Sequence, residues 1–351
     1  MLTRRAAIAS GLASLAAPAW ARLGGARFLS SARLASGAHV LIGLTRDGGE
    51  AFRAPLPARG HAAAAHPHRP HAVVFARRPG VFALLIDCDT GREIGRVHAK
   101  QGRHFYGHGA FSADGLTLFT TENAYETGEG RIGIWNATDG LRRIGEVASG
   151  GIGPHDVLRS HDGRSLIVAH GGVRTHPDTG RSKLNLPTMR PNLSWIDITS
   201  GEVTGVIEAD EHLRKNSLRH LAAAPNGEVL IGAQWQGSPR ATPSLLATAR
   251  QGGSLRWIDG PSQLWRDMRG YVGSVAAGED GTLFATSPRG GIALRADMGG
   301  NLGIERIADV CGAAITSGSA IYTTGNGVVM SGMGTEIAVH EVAFDNHMIE
   351  L

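Results

Sequence analysis

Histidine is the residue type with which this sequence could do chemistry. Five of its 16 histidines open the same short unit: a histidine, an apolar run, then a turn. The unit reads GHAAAAHP at Gly60, GHGAFSADG at Gly107, PHDVLRSHDG at Pro154 and RHLAAAPNG at Arg219. Degenerate copies read GSVAAGEDG at Gly273 and CGAAITSG at Cys311. The last residues, NHMIEL from Asn346, begin another. The leading positions are therefore His61, His108, His155, His220, Ser274, Cys311 and His347. If the copies are equivalent, five imidazoles and a thiol face one space. Neutral imidazole and thiolate are ligands for iron, copper or zinc. Affinity at such a site falls at acid pH, because the ligands must be deprotonated.

A second tier surrounds these positions. His66, His68, His71, His104 and Tyr106 lie in the adjacent connections, where they could support the ligands or line the way in. Glu122 and Asn123 follow a strand and could reach the channel, or serve as turn residues. Arg289 follows Ser287-Pro288 and either offers a guanidinium to an anion or is a solvated loop arginine. A blander account covers the histidines too. In WD40-type blades a Gly-His pair hydrogen-bonds within its own blade. That pattern also needs a Trp-Asp end to the third strand, and here only Trp135-Asn136 and Trp195-Ile196-Asp197 approach it.

The elements that would position these residues are strands. Short apolar runs such as HVLIGLT, AVVFARR, FALLID, LTLFTTE, SLIVAHG, VLIGAQ, SLRWID, TLFATS and AIYTTG are broken by Gly, Asp, Asn and Pro. No window keeps a 3.6 period long enough for a substantial helix, although residues 208–215 fit one or two turns. Turns recur at Asp114-Gly115, Asp162-Gly163, Asn226-Gly227 and Asp280-Gly281, after each unit's first strand. Others recur as Asp87 to Gly91, Asn136 to Gly140 and Asp197 to Gly201, after its third. His61, His108 and His155 stand 47 residues apart. Four strands in such a period are the signature of a β-propeller.

The expected fold is all-β: a seven-bladed β-propeller of four-stranded antiparallel blades. Residues from Arg27 to Leu56 supply three strands and NHMIEL the missing inner one, so the closing blade is shared between the N- and C-termini. A polar, proline-containing insertion over about 173–191, with His176 and Met189 near its ends, marks a surface loop. The mature chain, 22–351, is one domain.

With 351 residues, 42% apolar and 19% charged, the chain can bury a sizeable core. A net charge of +4 without Lys or Arg runs argues against nucleic acid. Cys88 and Cys311 could pair only if the fold brought them together, and the repeat register argues against it. Residues 1–21 place Arg4 and Arg5 before an apolar segment that ends in Ala19-Trp20-Ala21, which fits a twin-arginine export signal, or an ordinary secretory one, and a periplasmic protein. No segment is long and apolar enough to span a bilayer. No G-x-S-x-G, C-x-x-C-H, phosphate-binding or calcium-binding loop is present.

Further motifs carry a resemblance. RGHAAAAHPHRPHAVVFARRPG, GRHFYGHGAFSADG, TTENAYETGEGRIGIWNA, GGIGPHD, THPDTGRSKLNLPTM, SLRHLA, ATSPRGG, DVCGAA and FDNHM resemble the bacterial domain of unknown function 1513 family over about residues 27–351. One departure is His170, where the family pattern leads us to expect asparagine. The resemblance implies a propeller like the quinoprotein amine dehydrogenase β-chain. It also implies export, and an iron-related setting with imelysin-type or dihaem peroxidase-like periplasmic proteins as partners. It brings no catalytic residues.

The sequence thus points to a non-enzymatic component of a metal uptake or handling system. Iron comes first, copper next and zinc behind them. Two rivals remain: a propeller hydrolase, lyase or redox partner using channel histidines and Glu122, and a protein-interaction scaffold.

Overall fold

The structure is a computed structural model that describes residues 25–351 except 181, 225, 226, 242, 298, 299, 317 and 333. The expected export signal at 1–21 and Asn226 of the Asn226-Gly227 turn lie outside the described residues.

Seven antiparallel four-stranded sheets form a ring. Blade 1 runs Gly60–Ala65, His71–Ala76, Phe82–Asp87 and Glu93–His98 from the axis outward. Its two middle strands are buried on both faces, because each blade is sandwiched between neighbours. Their sequences therefore read as unbroken apolar runs rather than alternating ones. The outermost strand is mostly exposed. The turn before it is specific: Asp87 Oδ1 accepts from the amides of Asp89 and Thr90, at 3.0 and 2.9 Å, and Gly91 takes the positive φ of +70° that closes it. Asp197 repeats the device with Thr199, Ser200 and Gly201.

The core is divided among the blade interfaces. Val73, Phe75 and Leu85 of blade 1 meet Phe105, Leu118 and Trp135 of blade 2. Equivalent apolar clusters lie at each of the other junctions. The ring closes where Leu41, Phe52 and Leu56, from the N-terminal strands, pack against Val74 and Leu84 of blade 1. Inner strands touch their neighbours all the way round the axis.

The closing blade is shared as expected, with one refinement. The C-terminal segment supplies two short inner strands, Val342–Phe344 and Ile349–Glu350, and both pair with Phe28–Leu34. The inner edge is broken between them, and His347 lies in the break.

Blade 4 corrects the reading of SLRWID. Its third strand is Leu246–Ala249, and SLRWID contributes only the two-residue outer strand Arg256–Trp257. A helix at Ser262–Asp267, which the periodicity did not announce, buries Leu264 and Trp265 against blades 4 and 5. Between 208 and 215 there is a single short 3-10 turn, Glu211–Leu213. The insertion leaves blade 3 after Ser165–His170 and returns at Asn192–Asp197. It is held by Asn185 to Gly172 and Arg174, by Arg214 to Pro187, and by the buried Met189. Cys88 and Cys311 are both buried and free. Among the described residues no helix is long and apolar enough to cross a membrane.

Candidate metal centre on the ring axis

Regular pairing would send side chains alternately to the two faces of each blade. The inner strands depart from it near the axis. In blades 1, 2, 3, 4 and 6, pairing skips from Gly60 to Ala63, from Phe105 to Gly109, from Pro154 to Asp156, from Leu218 to His220 and from Val310 to Ala313. A bulge bends its strand and re-aims a side chain. His61, His108 and His155 lie inside three of these irregularities, and His220 directly follows the fourth.

The five imidazoles converge. Ring centroids are 5.0 Å apart for His61 and His108, 4.3 Å for His61 and His347, and 5.0 Å for both His108 and His155 and His155 and His220. Two triads result. The ligand atoms of His61, His108 and His155 lie within 4.8 Å of one another, and so do those of His108, His220 and His347. Nitrogens that bind one ion tetrahedrally sit roughly 3.4 Å apart. An ion held by either triad would require its nitrogens to close to that spacing.

Hydrogen bonds prepare the rings. His108 Nδ1 donates to Asp156 Oδ1 at 2.9 Å, and Asp156 is itself fixed by the amides of Val157 and Leu221. His155 Nδ1 donates to the Arg219 carbonyl at 3.1 Å. A carbonyl only accepts, so Nδ1 carries the proton and Nε2 keeps its lone pair. This is the arrangement of a histidine ligand with a carboxylate or carbonyl behind it. Within the cluster, His61 Nδ1, His108 Nε2, both nitrogens of His220 and His347 Nε2 are buried without a hydrogen-bond partner among the described residues. Buried polar atoms are rarely left this way. The two rings that are anchored bond to groups outside their own strand pair or to the next blade, not in the WD40 manner.

Burial lowers the pKa values of His61, His155 and His220 well below the ordinary histidine range, and the neighbouring imidazoles and arginines add to it. Burial likewise brings His347 down to about 3. At neutral pH these four are uncharged, the form that binds metal.

The same burial gives an acid-lability outside the cluster. His170 falls to about 3 and His104 to about 4, against 6.5 unfolded. Unfolding lets each take up a proton, so stability is complete above about pH 6.5 and is lost as pH falls below it. Each imidazole contributes about 1 kcal/mol per pH unit of descent. The melting temperature of metal-free protein should drop steadily from pH 7 to pH 5. A melting temperature flat over that range would contradict these environments.

The other expected site residues are placed differently. Cys311 stays outside both triads. Its Sγ points to the Asp309 carbonyl at 3.2 Å, and burial pushes its thiol pKa above the ordinary value, which keeps it a neutral thiol. Ser274 Oγ accepts from the Ala313 amide and ties blade 5 to blade 6. Glu122 does not line the channel. It is wholly buried within blade 2, where Arg143 bonds both carboxylate oxygens at 2.7 and 3.0 Å. It sits on the blade's second strand, Thr117–Ala124, one strand out from the axis, and alternation puts it on the blade face that carries Arg143. His66 caps a turn, its Nδ1 accepting from the amides of His68 and Arg69. His104 Nε2 meets Asn123, which donates to the Thr175 carbonyl and so anchors the insertion. Tyr106 is buried, its hydroxyl beside that of Thr175 and without a hydrogen bond of good geometry among the described residues, and Arg289 lies over the Tyr271 ring at 4.2 Å. Two contributors were passed over: Asp156, and Asp345, whose Oδ1 is 4.0 Å from His61 Nδ1. Their signal was present in PHD and FDNH, where an aspartate stands one or two residues from the histidine.

On one side the cluster borders a cavity of about 390 Å³, lined by His108, Asp156, His220, Ser274 and His347 with apolar groups such as Phe111 and Met348.

Comparison with known proteins agrees with the fold. The family model described as "Protein of unknown function (DUF1513)" matches residues 54–351. No curated protein matches the sequence. Among solved structures the chain is similar to hydrazine synthase of Kuenenia stuttgartiensis, with 16% identity and a TM-score of 0.55, over 74% of this chain and 70% of that one. At that identity the likeness speaks for the fold alone.

Proposed function

The chain belongs to the DUF1513 family, whose description records no function, and we propose from the geometry of its axis that it binds one transition-metal ion through the clustered histidines. The observation that carries this is the set of buried imidazole nitrogens without partners, gathered from His61, His108, His220 and His347. A purely structural histidine spends its nitrogens on hydrogen bonds; leaving them bare in the interior costs stability. A ligand that accepts those lone pairs accounts for them.

His108 belongs to both triads, and its Nδ1 is occupied by Asp156. One nitrogen remains to it, so the two triads are alternatives for one ion. The donors are neutral imidazoles, which suit copper, zinc and iron. Iron is favoured by the family resemblance, copper comes next, and zinc follows. The role we assign is non-enzymatic, the holding or handing on of metal in an exported, periplasmic uptake system, with imelysin-type or dihaem peroxidase-like proteins as partners. The rival hydrolase or lyase reading loses its carboxylate, since Glu122 is held by Arg143. The scaffold reading finds its exposed large apolar residues, such as Val81, Ile144, Val206 and Val339, scattered over four blades.

The test is metal uptake. Protein offered Fe(II), Cu(I), Cu(II) or Zn(II) should retain close to one equivalent of at least one of them after gel filtration. No retention of any would remove the proposal.

A further inference from the structure

A second feature lies on the other side of the histidine layer. The cavity described above is lined by residues that follow the histidines along the inner strands, such as 63–65, 109–111, Leu221 and Ala223. The opposite mouth is built from residues that precede them and, because the strands are antiparallel, from the far ends of the second strands. Tyr106, Arg219, Tyr271 and Asn346 come from the first group. Arg78 and Arg289 come from the second, and Thr175 and Lys183 from the insertion that leaves the same end of blade 3.

This mouth is cationic. The charges that act on Lys183 are those of Arg219, Arg289 and Arg78, and Arg78 also presses on Arg219. No carboxylate stands among these influences. Burial, with Arg78 beside it, brings the Arg219 pKa to about 10, so it still carries its charge at neutral pH. Its Nε is buried without a partner among the described residues. Tyr106 and Thr175, each 3% exposed, turn their buried hydroxyls toward each other, and neither closes a hydrogen bond of good geometry among the described residues. Tyr271 holds Arg289 over its ring and accepts from Asn346 Nδ2 at 2.7 Å. The backbone is drawn in as well: a Cβ on Gly171 would stand 3.2 Å from the Arg219 guanidinium carbon, and one on Gly153 3.4 Å from the Tyr106 hydroxyl. Like charges repel, and buried donors left bare cost stability. An anion that accepts from all of them resolves both costs, and guanidinium groups match the oxygens of carboxylate and phosphate.

We infer that this mouth is a binding site for a small, multiply charged oxyanion, held by Arg219, Arg289, Arg78 and Lys183 with the hydroxyls of Tyr106 and Thr175, directly over the histidine cluster. The inference goes beyond metal binding and does not require it. Carboxylate and phosphate oxygens are recognised by the same donors, so both sources enter the test.

The test is calorimetric titration of full-length mature protein, stripped of metal, with inorganic phosphate and separately with citrate in 150 mM chloride. At least one should saturate with a dissociation constant on the order of 1 mM or tighter. Arg289→Gln and Arg219→Gln should each weaken it by at least about tenfold. Arg289 sits after a strand end, so its replacement spares the core if the Arg219 variant fails to fold. Saturation by phosphate alone or by citrate alone supports the site and identifies the oxygen class. No saturation by either, or unchanged affinity in Arg289→Gln, overturns it. Because metal is absent throughout, either result leaves the metal proposal standing or falling on its own experiment.

Discussion

His108→Ala is expected to abolish stoichiometric metal uptake and leave a folded propeller. His108 is the imidazole common to both triads, so its loss breaks each of them, whereas loss of His61 or His347 leaves one intact. Removing a group behind a ligand typically costs 10–100-fold in metal affinity, and removing the ligand itself should cost at least about 100-fold. The fold should survive because Asp156 keeps its bonds to the Val157 and Leu221 amides, at 2.8 and 2.9 Å. Metal analysis and circular dichroism on the same sample separate the outcomes. A folded His108→Ala protein that still takes up a full equivalent would contradict the shared-ligand geometry. Loss of fold would instead show that the His108–Asp156 pair braces the ring.

His220→Leu is expected to move stability and binding in opposite directions. Both His220 nitrogens are buried and have no hydrogen-bond partner among the described residues; the backbone of Val272 approaches the ring without closing a bond of good geometry. An unsatisfied buried polar group costs about 1–3 kcal/mol, and an apolar group of similar size removes that cost. The metal-free variant should therefore melt a few degrees higher than the wild type. Metal bound by the wild type should reverse the order, because a ligand that binds only the folded state adds stability in proportion to its occupancy. Thermal melts with and without the metal read both effects. A lower melting temperature for metal-free His220→Leu would mean that the imidazole serves the fold.

The ring was legible because repetition is a strong signal. One unit in register located six inner strands and the terminal seventh, and the leading position of that register is where the five imidazoles meet. What the register could not carry was direction. Glu122 and Cys311 occupy promising positions, but strand alternation turns the first toward Arg143 and the second donates to a carbonyl. The bulges that aim His61, His108 and His155 leave no composition signal, since they are a property of pairing with the second strand. Blade 4 misled because Leu246–Ala249 is short and follows a long connection, while the apolar SLRWID offers a better-looking strand. The cationic mouth was visible only as Arg289. Its partners Arg78, Lys183 and Arg219 are distant in sequence and are brought together by ring closure.

The measurement that bears most directly on the central claim is anomalous X-ray diffraction from crystals of the metal-loaded protein. The expected result is a single anomalous peak on the ring axis, about 2.0–2.3 Å from His108 Nε2 and from ring nitrogens of at least two of His61, His155, His220 and His347. A peak elsewhere, or ordered water bridging those nitrogens in protein exposed to excess metal, would contradict it.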